Sequence, residues 1–194
     1  MMRKGLFVFI GILFIFAACS SSNPKIETNM SKNVADFEYT NQNNESFGLQ
    51  DLKGKWWVAD FIFTNCTTVC LPMTSNMSRL QDRVKEEGLE GVHFISFSVD
   101  PEYDTPDVLT EYAADYEADL NNWTFLTGYD FETIKELSIK SFQSMLQEPM
   151  PGDDQVMHGT RFYLVNPEGK IIKSYSGVKS DEIDEIFEDL KKVL

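Results

Sequence analysis

Histidine occurs only twice in these 194 residues and cysteine only three times. Any site that needs an imidazole must use His93 or His158, and any thiol chemistry must draw on Cys19, Cys66 and Cys70. Basic residues are also few: 17 Lys and Arg stand against 31 Asp and Glu, for a formal net charge of −14. Removing Arg3 and Lys4 with an N-terminal signal would take this to −16. A surface of that sign repels nucleic acid and anionic lipid, which removes nucleic acid as a partner class; solubility accounts for most of the charge. Long hydrophobic runs are lacking too. The longest uncharged apolar run, residues 5–18, spans 14 residues, short of the roughly 20 that cross a bilayer. No internal repeat is present.

What the N-terminus does have is two cations, Arg3 and Lys4, then this apolar run, then small residues directly before Cys19. That is the layout of a secretory signal. Phe16-Ala17-Ala18-Cys19 resembles the bacterial lipoprotein box, in which the cysteine is lipidated and becomes the first mature residue; Phe16 departs from the usual Leu. Ser20 to Asn33 follows as a polar stretch without periodicity. Residues 1–18 are therefore expected to be a signal peptide, 19–33 the lipidated Cys19 and a tether, and 34–194 one folded domain. Lipid would hold that domain at the cell membrane, on the extracytoplasmic side. With Cys19 assigned to lipid, Cys66 and Cys70 remain as a pair.

The domain is organised around that pair. Trp56 to Phe63 is a near-continuous apolar run of strand length, which reads as a strand buried on both faces. It gives way to Thr64-Asn65-Cys66-Thr67-Thr68-Val69-Cys70, after which Val69, Met73, Met77, Leu80 and Val84 recur at helical spacing. The cysteines thus fall at a strand-to-helix turn, where the helix dipole and unpaired N–H groups favour a thiolate. Upstream, Phe37–Thr40 and Ser46–Leu49 read as a hairpin capping the sheet. Downstream, Val92–Val99 is a second strand, parallel to the first. Thr105 as N-cap and Pro106 open a helix through Tyr116. Trp123–Thr127 is a third strand and Phe131–Phe142 a third helix. Residues 147–157, with Pro149, Pro151 and Gly152, are expected to hold no regular element. A hairpin over Thr160–Val165 and Ile171–Tyr175 and a helix from about Ser180 complete the chain. The order predicts an α/β fold with a central mixed sheet flanked by helices and an N-terminal β-hairpin, and it resembles a thioredoxin-like fold.

Four residues apart, Cys66 and Cys70 would lie about one helical turn, roughly 6 Å, from each other, so they could grip one soft ion or close a disulfide. Pro72 disfavours helical geometry at Leu71, so an irregular turn is expected around the pair. Two thiolates favour Cu(I) or Zn(II), and a single imidazole would complete a trigonal site of the kind copper uses. A purely structural disulfide is the alternative, but so short a loop stabilises by only about 2 kcal/mol. His93 sits within a strand pattern and reads as structural. His158 follows the Pro/Gly loop and directly precedes a strand, so it is either a solvated loop residue or the missing ligand. Asp100 ends the second strand on the same sheet edge as the cysteines. It reads equally as a turn former before Pro101, as Asp104 does before Thr105-Pro106.

Three motifs in order carry a family resemblance. Phe61-Ile62-Phe63-Thr64-Asn65-Cys66-Thr67-Thr68-Val69-Cys70, Ser98-Val99-Asp100-Pro101-Glu102-Tyr103-Asp104-Thr105-Pro106, and His158 shortly before Tyr163-Leu164-Val165-Asn166-Pro167-Glu168-Gly169 together resemble the Sco family, also called SenC/PrrC. Its members are membrane-anchored thioredoxin-like proteins for assembly of the copper centre CuA of cytochrome c oxidase. The resemblance covers about Val34 to Leu194. It implies that Cys66, Cys70 and His158 bind one copper ion, Cu(I) or Cu(II), with Asp100 near the site, and that the CuA-bearing oxidase subunit is the partner of a monomeric protein. Thr67 stands where a proline is usual, Leu71-Pro72 sets the later proline one place on, and Gly159 replaces a more usual Ser. All three ligand positions are kept. The resemblance implies a copper metallochaperone rather than an enzyme, or else a thiol–disulfide oxidoreductase that uses Cys66 and Cys70 to reduce the oxidase subunit's cysteines. A third reading is a peroxidase, since Thr67-Thr68-Val69-Cys70 also resembles the Thr-X-X-Cys of peroxiredoxins, with Arg161 available to hold a thiolate. That leaves Cys66 and His158 without a role.

Overall fold

The computed structural model describes residues 26–194. Cys19 and the expected signal peptide lie outside the described residues. The apolar run becomes β4 (Trp56–Ile62), buried at every position but the first. It pairs in parallel with β5 (Val92–Ser98), and β5 pairs in parallel with β6 (Trp123–Thr127). The crossover from β4 to β5 is α1 (Cys70–Glu86), and that from β5 to β6 is α2 (Pro106–Asp115). On the other side of β4 lies the antiparallel hairpin β9 (Arg161–Val165) and β10 (Lys170–Ser176). The N-terminal hairpin, β2 (Glu38–Asn41) and β3 (Ser46–Gly48), does more than cap: β2 pairs with β6 and extends the sheet.

Ile26 to Asn33, read from sequence as the end of a tether, is packed. Ile26 is buried, Asn29 exchanges hydrogen bonds with Ser174, and β1 (Lys32–Asn33) pairs with β10. The eight strands run in the order β1-β10-β9-β4-β5-β6-β2-β3. Helices cover both faces, as expected. Val58 and Ile62 of β4 face a core with Met73, Met77 and Leu80 of α1, Leu109 of α2, and Ile186 and Leu190 of α4 (Ser180–Val193). Trp57, Ala59 and Phe61 face the opposite core, where Ile134, Leu137 and Phe142 of α3 (Phe131–Phe142) pack. The alternation along β4 follows from its pleat, with apolar residues needed on both sides.

One expectation is corrected. The 147–157 loop is bracketed by a two-stranded ribbon, β7 (Leu146–Gln147) and β8 (Met157–His158), with Leu146 opposite His158 and Gln147 opposite Met157. Pairing holds the loop's far end, with His158, beside Phe63 and Cys70 at the end of β4.

Candidate metal centre

Parallel pairing puts the C-terminal ends of β4 and β5 on one edge, and the site is built there. Cys66 lies in the turn after β4, and Cys70 is the first residue of α1. Pro72 does not exclude the helix: it sits in the first turn, where a backbone N–H has no intrahelical acceptor, and the first helical bond is Met73 N–H to Val69 O at 3.2 Å. The irregular turn is thus confined to the residues before Cys70. The turn is pinned by Asp104, which has no exposed surface. Its carboxylate accepts from Thr64 N–H at 3.2 and 3.3 Å, from Thr64 Oγ1 at 2.5 Å and from Ser98 Oγ at 2.6 Å. Asp104 is therefore an anchor between the end of β5 and the segment leading to Cys66.

The sulfurs of Cys66 and Cys70 and a ring nitrogen of His158 all lie within 4.8 Å of one another, and all three residues are buried. Both cysteines are free thiols. Cys70 Sγ is 3.2 Å from His158 Nε2, and the Cys70 N–H at the start of α1 donates to Cys66 Sγ at 3.4 Å. His158 Nδ1 lies 3.0 Å from the Gly159 carbonyl, which can only accept, so Nδ1 carries a proton and Nε2 is the nitrogen turned to the sulfurs. Phe63 packs edge-on to this ring, at 5.7 Å between centroids. The two thiols are unlike in acidity. The Cys70 thiol beside it lowers Cys66 well below an ordinary thiol, against the opposing effect of burial, with further help from His158 and backbone N–H groups. The same contact, added to burial, raises Cys70. One proton shared across the pair favours a thiolate at Cys66 and a thiol at Cys70. Two soft sulfurs and one imidazole nitrogen fit a copper ion.

Other carboxylates surround the centre without joining it. Asp100 is half-buried at the end of β5, its acidity weakened first by burial and then by Glu102 and Asp154; it is not among the three grouped ligands. Asp60, fully buried in β4, accepts from Ser96 Oγ at 2.6 Å, and Ser96 in turn accepts from Trp123 Nε1 at 3.0 Å. Its Oδ2 has no partner, and burial pushes its pKa up to about 7. From sequence, Asp60 carries no assigned role, and Asp104 reads only as a turn former. Asp60 hides in an apolar run, where a lone carboxylate is the one available signal, and the partners of Asp104 are spread over 40 positions. His93, the second residue of β5, pairs with Trp57 at the end of the strand away from the cysteines. Arg161 turns to Ser174, donating to its Oγ and carbonyl at 2.8 to 3.0 Å, and so is engaged on β10. This removes the guanidinium on which the peroxidase reading relied.

The His158 side is latched to the cysteine turn through side chains. Gln155 Oε1 accepts from Thr67 N–H at 3.2 Å, Gln155 Nε2 donates to the Asn65 carbonyl at 3.1 Å, and Asn65 Nδ2 donates to Asp154 Oδ2 at 3.1 Å. A cleft of about 320 Å³ opens between the two sides onto Cys66 and His158.

This arrangement can be set beside known proteins. The family described as SCO1/SenC matches residues 25–194. A SCO1/SenC family lipoprotein from Bacillus anthracis is 48% identical with a TM-score of 0.78, over 82% of this chain and 94% of that one. BsSco, described as a Sco-family cytochrome c oxidase assembly protein with a disulfide switch, is 45% identical with a TM-score of 0.77, over 86% of this chain and 95% of its own. ScoI from Bradyrhizobium japonicum, solved with copper bound, is 26% identical with a TM-score of 0.70, over 84% and 99%. Matched along nearly all of its described length, with a shared sheet and helices, this chain belongs to the SCO1/SenC family.

Proposed function

We propose that this protein is a copper metallochaperone: it carries one copper ion between Cys66 Sγ, Cys70 Sγ and His158 Nε2 and takes part in assembling the CuA centre of cytochrome c oxidase. The observation that carries this is the convergence of those three ligand atoms within 4.8 Å, with His158 88 positions beyond Cys70. The copper-bound ScoI supports copper over zinc, and BsSco supports the oxidase as the destination. The partner is the CuA-bearing subunit, met by a monomer. The domain is held outside the membrane by lipid on Cys19; the layout of residues 3–19 supports this, as does the B. anthracis neighbour, itself a lipoprotein.

The unequal thiols favour a second reading, a thiol–disulfide oxidoreductase. A Cys66 thiolate would attack a partner disulfide. Cys70 would then displace the partner as a dithiol and leave a Cys66–Cys70 disulfide, two electrons and two protons having passed to the partner.

Stability separates the two. Closing the short Cys66–Cys70 loop stabilises by about 2 kcal/mol, whereas a ligand bound only by the folded state stabilises by about 4 kcal/mol at a thousand times its dissociation constant. The thermal midpoint should therefore rank copper-bound above disulfide above reduced protein, and Cu(II) on thiolate should absorb strongly in the visible. A disulfide form that is the most stable, or a copper shift no larger than in a Cys66→Ser/Cys70→Ser variant, rejects copper carriage and favours the oxidoreductase.

A further inference from the structure

The three-ligand centre leaves unused the sulfurs placed beside it. Residues alternate faces along a strand, so Leu146 and His158, which lie opposite each other in the β7–β8 ribbon, share its inner face; both are buried. Met157 takes the outer face. Met145, one residue before Leu146, falls on that outer face as well, and the Gly159 N–H donates to the Met145 carbonyl at 3.0 Å, extending the pairing by a step. Met145 and Met157 are thus diagonal neighbours across the ribbon, about 7–8 Å apart at the backbone, a gap that long side chains span. Both line the cleft that opens onto Cys66 and His158. They are 53% and 40% exposed, while Met73 and Met77 of α1 are fully buried. Exposure alone does not mark them out, since Leu71 and Ile139 are comparably open.

Their chemistry does. A thioether is soft, uncharged and selective for Cu(I), and it binds without losing a proton. Cys66, Cys70 and His158 are all buried, whereas the two thioethers stand exposed where the cleft opens, so an arriving ion meets them first. We propose that Met145 and Met157 form a shallow thioether station for Cu(I) at the mouth of the Cys66–Cys70–His158 centre, through which the ion enters and leaves. The station rests on the copper reading above. In the inward step a copper–thioether bond breaks as a copper–thiolate bond forms, the thiol proton passes to solvent, and the ion stays Cu(I) throughout.

The test is stopped-flow exchange of Cu(I) with a chromophoric chelator, without oxygen, on the full chain in detergent and in a Cys19→Ser background. Met145→Leu/Met157→Leu keeps the apolar bulk and removes both sulfurs. It should slow uptake and release alike by about tenfold, as for loss of one contact worth about 1.4 kcal/mol from the transfer step. The equilibrium affinity for Cu(I), the rate of Cu(II) uptake and the thermal midpoint should not move. Unchanged Cu(I) rates overturn the station, and so does a loss of equilibrium affinity, which would make the thioethers resident ligands. The copper reading fails separately, if Cys66→Ser/Cys70→Ser holds Cu(I) as tightly as the parent.

Discussion

If Asp104 fixes the approach to Cys66, its loss should appear first as a specific coupling to Thr64. The carboxylate is wholly buried and accepts from one backbone N–H and two hydroxyls. Hydrogen bonds to a charged group contribute about 1.5–3 kcal/mol and neutral ones about 0.5–1.5. Asp104→Asn keeps the shape but replaces the two hydroxyl bonds of 2.5 and 2.6 Å with neutral ones, a loss of about 2 kcal/mol. Burial raises the Asp104 pKa despite these donors, so the carboxylate carries a desolvation penalty that trims the loss. Asp104→Ala strands the Thr64 N–H, which cannot rotate to another partner, and should cost about 3–5 kcal/mol with the cavity included. The assay is urea unfolding of the reduced protein, read as a change in midpoint at constant slope. Thr64→Val removes one hydroxyl and leaves the N–H, so a double-mutant cycle with Asp104→Asn should show a coupling of about 1 kcal/mol. Additivity within about 0.3–0.5 kcal/mol would refute the anchor.

Two further outcomes are expected. Asp60 titrates near 7 when folded and near 4 when unfolded, so the folded state holds its proton more tightly. Its contribution is complete below about pH 4 and is lost as pH rises to about 7. Asp60→Asn removes that loss at the expense of a buried amide, for a net gain of about 1–3 kcal/mol above pH 7. A difference between variant and parent that stays flat from pH 4 to 7 in denaturant titrations would contradict this. For the anchor, Cys19→Ser should abolish lipid labelling and leave the protein soluble or held only by an uncleaved signal, as read by fractionation; a labelled, membrane-bound variant would sink the assignment.

Elements with local signals were legible. The apolar run of β4, the four-residue recurrence along α1 and the Thr105-Pro106 start of α2 each announce themselves within a dozen residues, and Val108 N–H does donate to Thr105 Oγ1, at 3.4 Å. The three grouped residues followed from scarcity, two histidines and a cysteine pair, joined to a family resemblance. The β7–β8 ribbon was not legible, because two-residue strands have no period to detect. Asp104 had a sufficient local explanation as a turn former, which masked its role 40 positions away at Thr64. The packing of Ile26 is illegible for a similar reason: one apolar residue in a polar stretch carries no pattern, and the core cluster it joins is drawn from Val58 to Leu190.

The two sides of the centre are held with unequal strength, and the difference suits a cargo more than a resident cofactor. Cys66 and Cys70 follow a central strand, Cys70 begins a 17-residue helix, and a buried carboxylate ties down the segment before Cys66. His158 comes from a ribbon of two paired positions. Its loop meets the cysteine turn through exposed or part-buried bonds among Asn65, Thr67, Asp154 and Gln155, which water competes for. If copper is held as proposed, a partner would have to replace only the few latch bonds and the one imidazole bond to open the site, while the thiolates stayed in place. Release would then proceed by exchange at the His158 side, one ligand at a time, and the cleft that Met145 and Met157 line opens there.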